Sequence, residues 1–298
     1  MTVYSQIAQN KVKSVVLMVL FMALFTLVFY VVGNVNGDPT GYLAIGFVIS
    51  FASGFASYFF SDKMVLATTG AKPATKEEYF DLYTVVQNVA IASGVPMPKV
   101  YVIQDDALNA FATGRNPKHA AVAATTGLLA KLDRAELEGV LAHEMGHVKN
   151  YDTLFMSIVA VLVGTLVVVS DWIMRSFMWF GIRRDDREEK ANPLQLVFLI
   201  VTLILAPLAA TLIQLAVSRR REYLADATGA LITRNPGALA RALQKISGDP
   251  RPLQRASGAT AHLFITNPFK DKKVQSKIQS LFSTHPPVED RIKKLIEM

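Results

Sequence analysis

Four stretches of this chain carry no charged residue: Ser14 to Gly37, Pro39 to Ser61, Thr153 to Ser170 and Ala191 to Ser218. A bilayer core of about 30 Å is crossed by about 20 apolar helical residues, so each stretch reaches or nearly reaches spanning length. The first is too long for a signal peptide and lacks a small-residue cleavage site, so it reads as a retained anchor. Buried helices of a soluble core are the alternative. Composition weighs against it: 51% of residues are apolar and 18% charged, where about 25% charged is usual. Asp171 and Arg175, one helical turn apart, interrupt the third stretch and are placed to pair; Pro207 sits inside the fourth.

The net charge of +7 reads as a membrane-orientation signal and attraction to a lipid headgroup surface. No basic cluster is interleaved with aromatics, so a nucleic-acid partner is not expected. The chain has no cysteine, which excludes disulfides, thiol catalysis and cysteine-ligated metal, and fits a reducing compartment.

The stretches divide the chain into an N-terminal transmembrane hairpin (1–61), a first polar segment (62–152), a second hairpin (153–218) and a second polar segment (219–298). The first polar segment opens with an amphipathic helix pattern from Lys76-Glu77-Glu78 through Ala92. Lys99 to Ile103 reads as a strand, and Asn109 to Thr113 and Ala120 to Ala124 as two more around the turn signal Gly114-Arg115-Asn116-Pro117. Asp133 and Glu136 have the spacing of a capping box at the start of a further helix. Pro286-Pro287 precede a last helix, Val288 to Glu297.

The capped helix contains His143-Glu144-Met145-Gly146-His147. Histidines four apart lie on one helix face, so both imidazoles reach one ion, and the glutamate beside the first reaches a water at it. A divalent ion makes water nucleophilic at neutral pH, and Glu144 is the base that takes the proton. The pattern arises by accident in roughly one chain in a hundred of this length; here it falls on a helix, where the chemistry needs it. Zinc also needs a third protein ligand and an open position. Position 153 is threonine, so the metzincin continuation is absent. Glu222 and Asp226, four apart after Arg219-Arg220-Arg221, share a helix face; one can ligate while the other accepts a hydrogen bond from a ligating histidine. Asp152 is a rival ligand, or a residue that orients a histidine or ends the helix.

His143-Glu144-Met145-Gly146-His147, the Glu222-to-Asp226 element, Asn109-Ala110-Phe111-Ala112-Thr113-Gly114 and Thr284-His285-Pro286-Pro287 together resemble the M48 metallopeptidases, in particular their HtpX-type, heat-shock-associated membrane proteases. The resemblance extends over nearly the whole chain. It implies one Zn2+ per chain held by His143, His147 and Glu222, with Glu144 as base and Asp226 and Asp152 as orienting partners. It also implies cleavage of membrane proteins or unfolded polypeptides, often damaged ones, as in protein quality control and stress response. His285 and Arg291 match positions near the zinc and are candidate donors to an oxyanion. Asn109, Ala110, Phe111, Ala112 and Thr113 resemble the edge strand that binds substrate by strand addition. The expected fold is a mainly α membrane protein with about four hydrophobic helices and a zincin-like α+β catalytic domain. That domain carries a small sheet and is built from the two separated polar segments.

The ligand candidates also constrain topology. The histidines precede the third stretch and Glu222 follows the fourth, so both stretches span or neither does. Lys11 and Lys13 precede the first hairpin, whose loop carries Asp38 and no basic residue. That puts the catalytic segments of a multi-pass cell-membrane protein in the cytoplasm. Arg183, Arg184, Arg187 and Lys190 between the later stretches pull that loop to the same side as Arg219 to Arg221. A shallow hairpin would relieve this conflict; four spans are the expectation. If the helix ran on from His147 to Thr153, the zinc would lie about 9 Å from the bilayer face. A non-cutting scaffold or chaperone, a transporter, and a processing protease for prenylated C-termini are the competing functions. Intact Glu144 argues against the scaffold, and ligands outside the stretches argue against the transporter.

Overall fold

The structure, a computed structural model, describes residues 3–181, 207–212, 218–269 and 286–298. Two long antiparallel helices open it, α1 (Val3–Asn36) and α2 (Pro39–Thr69). Between them Gly37 takes a left-handed φ of +80°, and Asp38 caps α2 by accepting from the Gly41 amide. The first polar segment supplies β1 (Lys72–Pro73), α3 (Phe80–Ser93), β2 (Lys99–Ile103), β3 (Ala110–Thr113), β4 (Ala121–Thr125), α4 (Thr126–Lys131) and α5 (Arg134–Lys149). Helix α6 (Asp152–Gly181) follows. The second polar segment supplies α7 (Arg219–Thr233), α8 (Pro236–Gly248) and α9 (Val288–Ile296).

Three helical segments among the described residues are long and apolar enough to cross a membrane: Ile7–Asn34, Pro39–Thr69 and Asp152–Asp171. Most of the fourth stretch lies outside the described residues, apart from a helical piece at 207–212. The first two spans expose rows of phenylalanine and valine, as lipid-facing helices do. Leu17, Phe21, Phe25 and Val28 instead pack on Leu154, Ile158, Val159 and Leu162 of α6. Arg175 donates to Asp171 at 2.8 Å, the pairing their spacing allows.

The sheet order is β1-β2-β4-β3, with β2 and β4 parallel and the outer pairs antiparallel. β3 is therefore an edge. One side of the sheet packs on α3, α5 and α8 through Val100, Val122, Val140, Leu141 and Leu243. The other meets the end of α2 and the 253–264 segment through Val65, Leu66, Phe111 and Phe264. The membrane hairpin thus docks on the sheet that carries the site.

Three boundaries differ from the sequence reading. Helix α2 does not stop at Ser61 but continues two turns, to Thr69, as part of this docking. Helix α3 begins at Phe80; Thr75 to Tyr79 form a turn in which the Tyr79 amide donates to the Thr75 carbonyl. Helix α5 does not run on into α6. It ends at Lys149, Asn150 caps it, and Tyr151 adopts a left-handed φ of 60° that starts α6 in a new direction. The straight-helix distance from His147 to the bilayer face therefore does not apply.

Candidate metal centre

Helix α5 is fixed before any ion is considered. Asp133 accepts from the Glu136 amide and Glu136 from the Asp133 amide, a closed capping box. The Glu136 carboxylate also takes the Lys245 ammonium of α8 at 2.6 Å. Helix α7 crosses α5 through small residues. A Cβ on Gly229 would lie 3.0 Å from the His143 nitrogen, and one on Gly146 3.3 Å from the Ala225 Cα. This close approach brings the face carrying Glu222 and Asp226 against His143 and His147.

The result is a buried cluster in which His143, His147 and Glu222 each offer one donor atom, all within 4.8 Å of one another. The two Nε2 atoms are 3.2 Å apart. Glu222 places Oε1 3.4 Å from His147 Nε2 and Oε2 3.8 Å from His143 Nε2. Four ligands at about 2.1 Å around a tetrahedral ion stand about 3.4 Å apart, so this donor set fits a zinc-sized ion. Each histidine turns its other nitrogen to an aspartate. His143 Nδ1 is 2.9 Å from Asp226 Oδ1, and His147 Nδ1 is 3.0 Å from Asp152 Oδ2. An ionised carboxylate only accepts, so Nδ1 carries the proton in both rings and both Nε2 lone pairs face the cluster.

In the metal-free protein the two imidazoles shift in opposite directions. Burial pushes His143 below the ordinary imidazole range despite Asp226. Burial would also lower His147, but hydrogen bonds to Asp152 and Glu222 hold it well above its usual value. A pocket that draws positive charge onto an imidazole in this way is a pocket that favours a cation. Burial pushes Glu144 up to about 8 against the pull of His147.

Glu144 Oε2 accepts from the Ala112 amide at 2.8 Å. In β3, Asn109 and Phe111 face β4, while Ala110 and Ala112 turn their backbone groups to the free edge. The Ala110 carbonyl accepts from the Ile265 amide at 3.0 Å, and Asn109 Nδ2 donates to the Thr266 carbonyl at 3.2 Å. Thr113 is tied to Ser157 of α6 by a 2.8 Å hydroxyl contact. So of the five edge-strand candidates Ala112 is the one tied to the HExxH helix, with Glu144 holding its outward amide.

Arg291 is fully buried and reaches the cluster from α9. It donates to both oxygens of Asp226, at 2.8 and 2.7 Å, and to the Ile265 carbonyl at 3.1 Å. Asp226 would be raised by its burial, but Arg291 and His143 bring it to about 2. His285 lies outside the described residues.

Two participants were not singled out from sequence. Asn10 of α1 donates to Asp152 Oδ1 at 2.7 Å and to the Asn150 carbonyl at 2.9 Å. Arg221 places Nε 3.9 Å from Asp152 Oδ1. The signal for Asn10 was a polar amide at the head of an apolar span, which calls for a buried partner. The paired small residues Gly146 and Gly229 were a comparable signal for the helix crossing.

A histidine pair on one helix, a carboxylate from a crossing helix, and apolar helices of spanning length define a membrane metalloprotease. The model of peptidase family M48 matches residues 77–298, and the chain belongs to that family, in its HtpX-type branch. It is similar to the protease HtpX homolog of Tropheryma whipplei (strain Twist), 52% identical over 241 residues, 81% of this chain and 80% of the relative. The homolog of Caldanaerobacter subterraneus subsp. tengcongensis is 49% identical over 241 residues, 80% of this chain and 78% of the relative. That of Pyrococcus furiosus is 49% identical over 240 residues, 80% of each chain. Among solved structures, S. mikatae Ste24p has a TM-score of 0.53 at 20% identity, covering 98% of this chain and 67% of that one. The likeness supports the fold: a helical membrane protein with a small mixed sheet.

Proposed function

We infer that this chain is a zinc metalloendopeptidase that hydrolyses peptide bonds of membrane proteins or unfolded polypeptides at the cytoplasmic face of the cell membrane. Damaged or misfolded chains are its substrates, which makes it a quality-control enzyme. The observation that carries the reading is the paired arrangement of His143 on Asp226 and His147 on Asp152, with both Nε2 atoms turned to Glu222.

In this reading His143, His147 and Glu222 hold the ion. When bound, zinc polarises the scissile carbonyl and makes water acidic enough to attack at neutral pH. Glu144 takes a proton from the attacking water on its carboxylate and delivers it to the leaving nitrogen. The value of about 8 that burial gives this carboxyl holds without the ion; the charge of a bound cation beside it would lower it and keep the carboxylate available as base. Asp226 and Asp152 keep the Nδ1 protons and the ring planes fixed. Arg291 braces Asp226; His285 is the second proposed oxyanion donor.

The substrate adds as a strand to the outer edge of β3 at Ala112, beyond the point where Ile265 holds the Ala110 carbonyl. Its carbonyl takes the Ala112 amide that Glu144 now holds, releasing the carboxylate toward the attacking water. Lys11 and Lys13 ahead of the first span support the cytoplasmic orientation, and the multi-pass arrangement follows with both hairpins crossing. The division into two hairpins and two catalytic segments fits a site in which the HExxH helix and the Glu222 helix come from either side of the second hairpin.

The experiment is Glu144→Gln, assayed for cleavage of an unfolded membrane protein and for metal content. The expected outcome is loss of cleavage with metal retained. Substantial cleavage by a clean preparation would remove Glu144 from the reaction.

A further inference from the structure

A cleft of about 510 Å³ opens beside the head of α1 and the start of α7, on the opposite side of Asp152 from the histidines. Asn10, Lys13, Val16, Leu20, Arg220 and Arg221 are among its walls. Along α1 its walls change from polar, at Gln9, Asn10 and Lys13, to apolar, at Val16, Leu17 and Leu20. Lys13 and Arg220 are exposed at its mouth. Arg221, mostly buried, forms the inner wall beside the Phe155 ring. Past Lys13 along α1, Val16 and Leu20 stand one turn apart on the same face, 48% and 61% exposed. Both lie within the span Ile7–Asn34.

Lys13 lies inside that span near its N-terminal end, and the apolar wall continues about 10 Å further along the helix, to Leu20. A phospholipid has the same order of parts: an anionic phosphate at the surface and an acyl chain parallel to the helices. Among the described residues the cleft is lined by three cations and no acidic side chain, so a zwitterionic headgroup would leave its positive end facing positive charge, whereas a singly anionic headgroup is complementary. Lys11 does not compete for that role; its ammonium sits 4.3 Å from the Tyr151 ring.

The geometry points to a specific site for one anionic phospholipid, with its phosphate against Lys13, Arg220 and Arg221 and one acyl chain along Val16 and Leu20. This goes beyond the proteolytic reading and does not depend on it. The site adjoins the metal centre, because Asn10 and Arg221 in its wall both contact Asp152.

The test uses the full chain in lipid discs of phosphatidylcholine with a rising fraction of phosphatidylglycerol. After detergent extraction, lipid retained per protein is measured by mass spectrometry. The expected result is about one phosphatidylglycerol retained per chain, preferred over phosphatidylcholine about tenfold or more. Lys13→Gln/Arg220→Gln, both at exposed positions, abolishes that preference. Val16→Trp, which fills the apolar part and leaves the charges alone, lowers retention of the lipid. Equal retention of the two lipids, or an unchanged preference in the double variant, overturns the site. Displacement of the lipid by millimolar inorganic phosphate overturns the lipid assignment in favour of a simple anion site. Retention is read without any cleavage assay, so its failure is separate from failure of the proteolytic reading.

Discussion

Asp152 accepts from His147 Nδ1 with one oxygen at 3.0 Å and from the Asn10 amide with the other at 2.7 Å. The first turns of the N-terminal anchor are therefore part of the structure that orients a candidate ligand. An aspartate held on one side only would let the imidazole swing, and a ligand whose orienting partner is lost typically costs 10–100-fold in metal affinity or activity.

Asn10→Ala tests this link. It leaves a buried carboxylate oxygen without its closest donor, a loss of about 1–3 kcal/mol. Metal should leave the folded variant at lower chelator concentration than wild type, with cleavage reduced in parallel. Unchanged metal retention in a folded Asn10→Ala protein would mean that Arg221 alone suffices to hold Asp152.

Glu222 and Asp226 should separate by their consequences. Glu222→Ala removes a donor from the cluster and should empty the site under mild chelation. Asp226→Asn keeps the shape beside His143 and should retain metal more tightly while working 10–100-fold more slowly. Asparagine is used because it keeps the side-chain shape and one acceptor for Arg291, which alanine would remove; either change leaves the buried guanidinium without its carboxylate, at about 3–5 kcal/mol. Metal content by plasma mass spectrometry ranks them; the reverse order exchanges their roles.

Gly229→Val should weaken the site without touching a polar group. Even a single Cβ would meet His143 backbone at 3.0 Å, so valine forces α7 away from α5 and lifts Glu222 from the histidines. Gly248→Ala is the control, since a Cβ there meets nothing within 4 Å. Equal metal affinity in the two variants would contradict the close crossing.

The Asp226–Arg291 pair sets a pH dependence for the metal-free protein. The Asp226 carboxyl lies near 2 when folded, below its ordinary 3.8. A depressed carboxyl contributes stability that is complete above the unfolded value and is lost as pH falls through the folded one. The window is therefore from about pH 4 down to about pH 2, and the contribution is on the order of 2 kcal/mol. Thermal melts of wild type and Asp226→Asn should converge across that window. A constant difference between them would refute the assignment.

What was legible in the sequence was what neighbouring residues decide. The capping box, the 99–103 strand, the Asp171–Arg175 pair and the histidine spacing all follow from contacts a few residues apart, and the structure has each of them. The family resemblance added Glu222, which spacing alone could not choose over Asp226. The partners of Asp152 and Asp226 were not legible, because Asn10 and Arg291 reach them across 142 and 65 residues. Nothing local encodes such distances; the crossing of α5 and α7 and the docking of α1 on α6 create them. The turn at Tyr151 was hidden for a different reason. An aromatic residue disfavours positive φ, and only the tertiary anchoring of α6 holds it there.

Arg291 also has a place in time. It is synthesised after the histidines, after Glu222 and after Asp226, yet it neutralises the aspartate that orients His143. A chain emerging from the ribosome carries its membrane helices and its whole candidate ligand set before that brace exists. The cluster then holds four buried carboxylates, Glu144, Asp152, Glu222 and Asp226, around two imidazoles, without the Arg291 charge on the Asp226 side. The Asp226 side of the cluster is therefore completed by the last helix of the chain, 65 residues after the aspartate it pairs with.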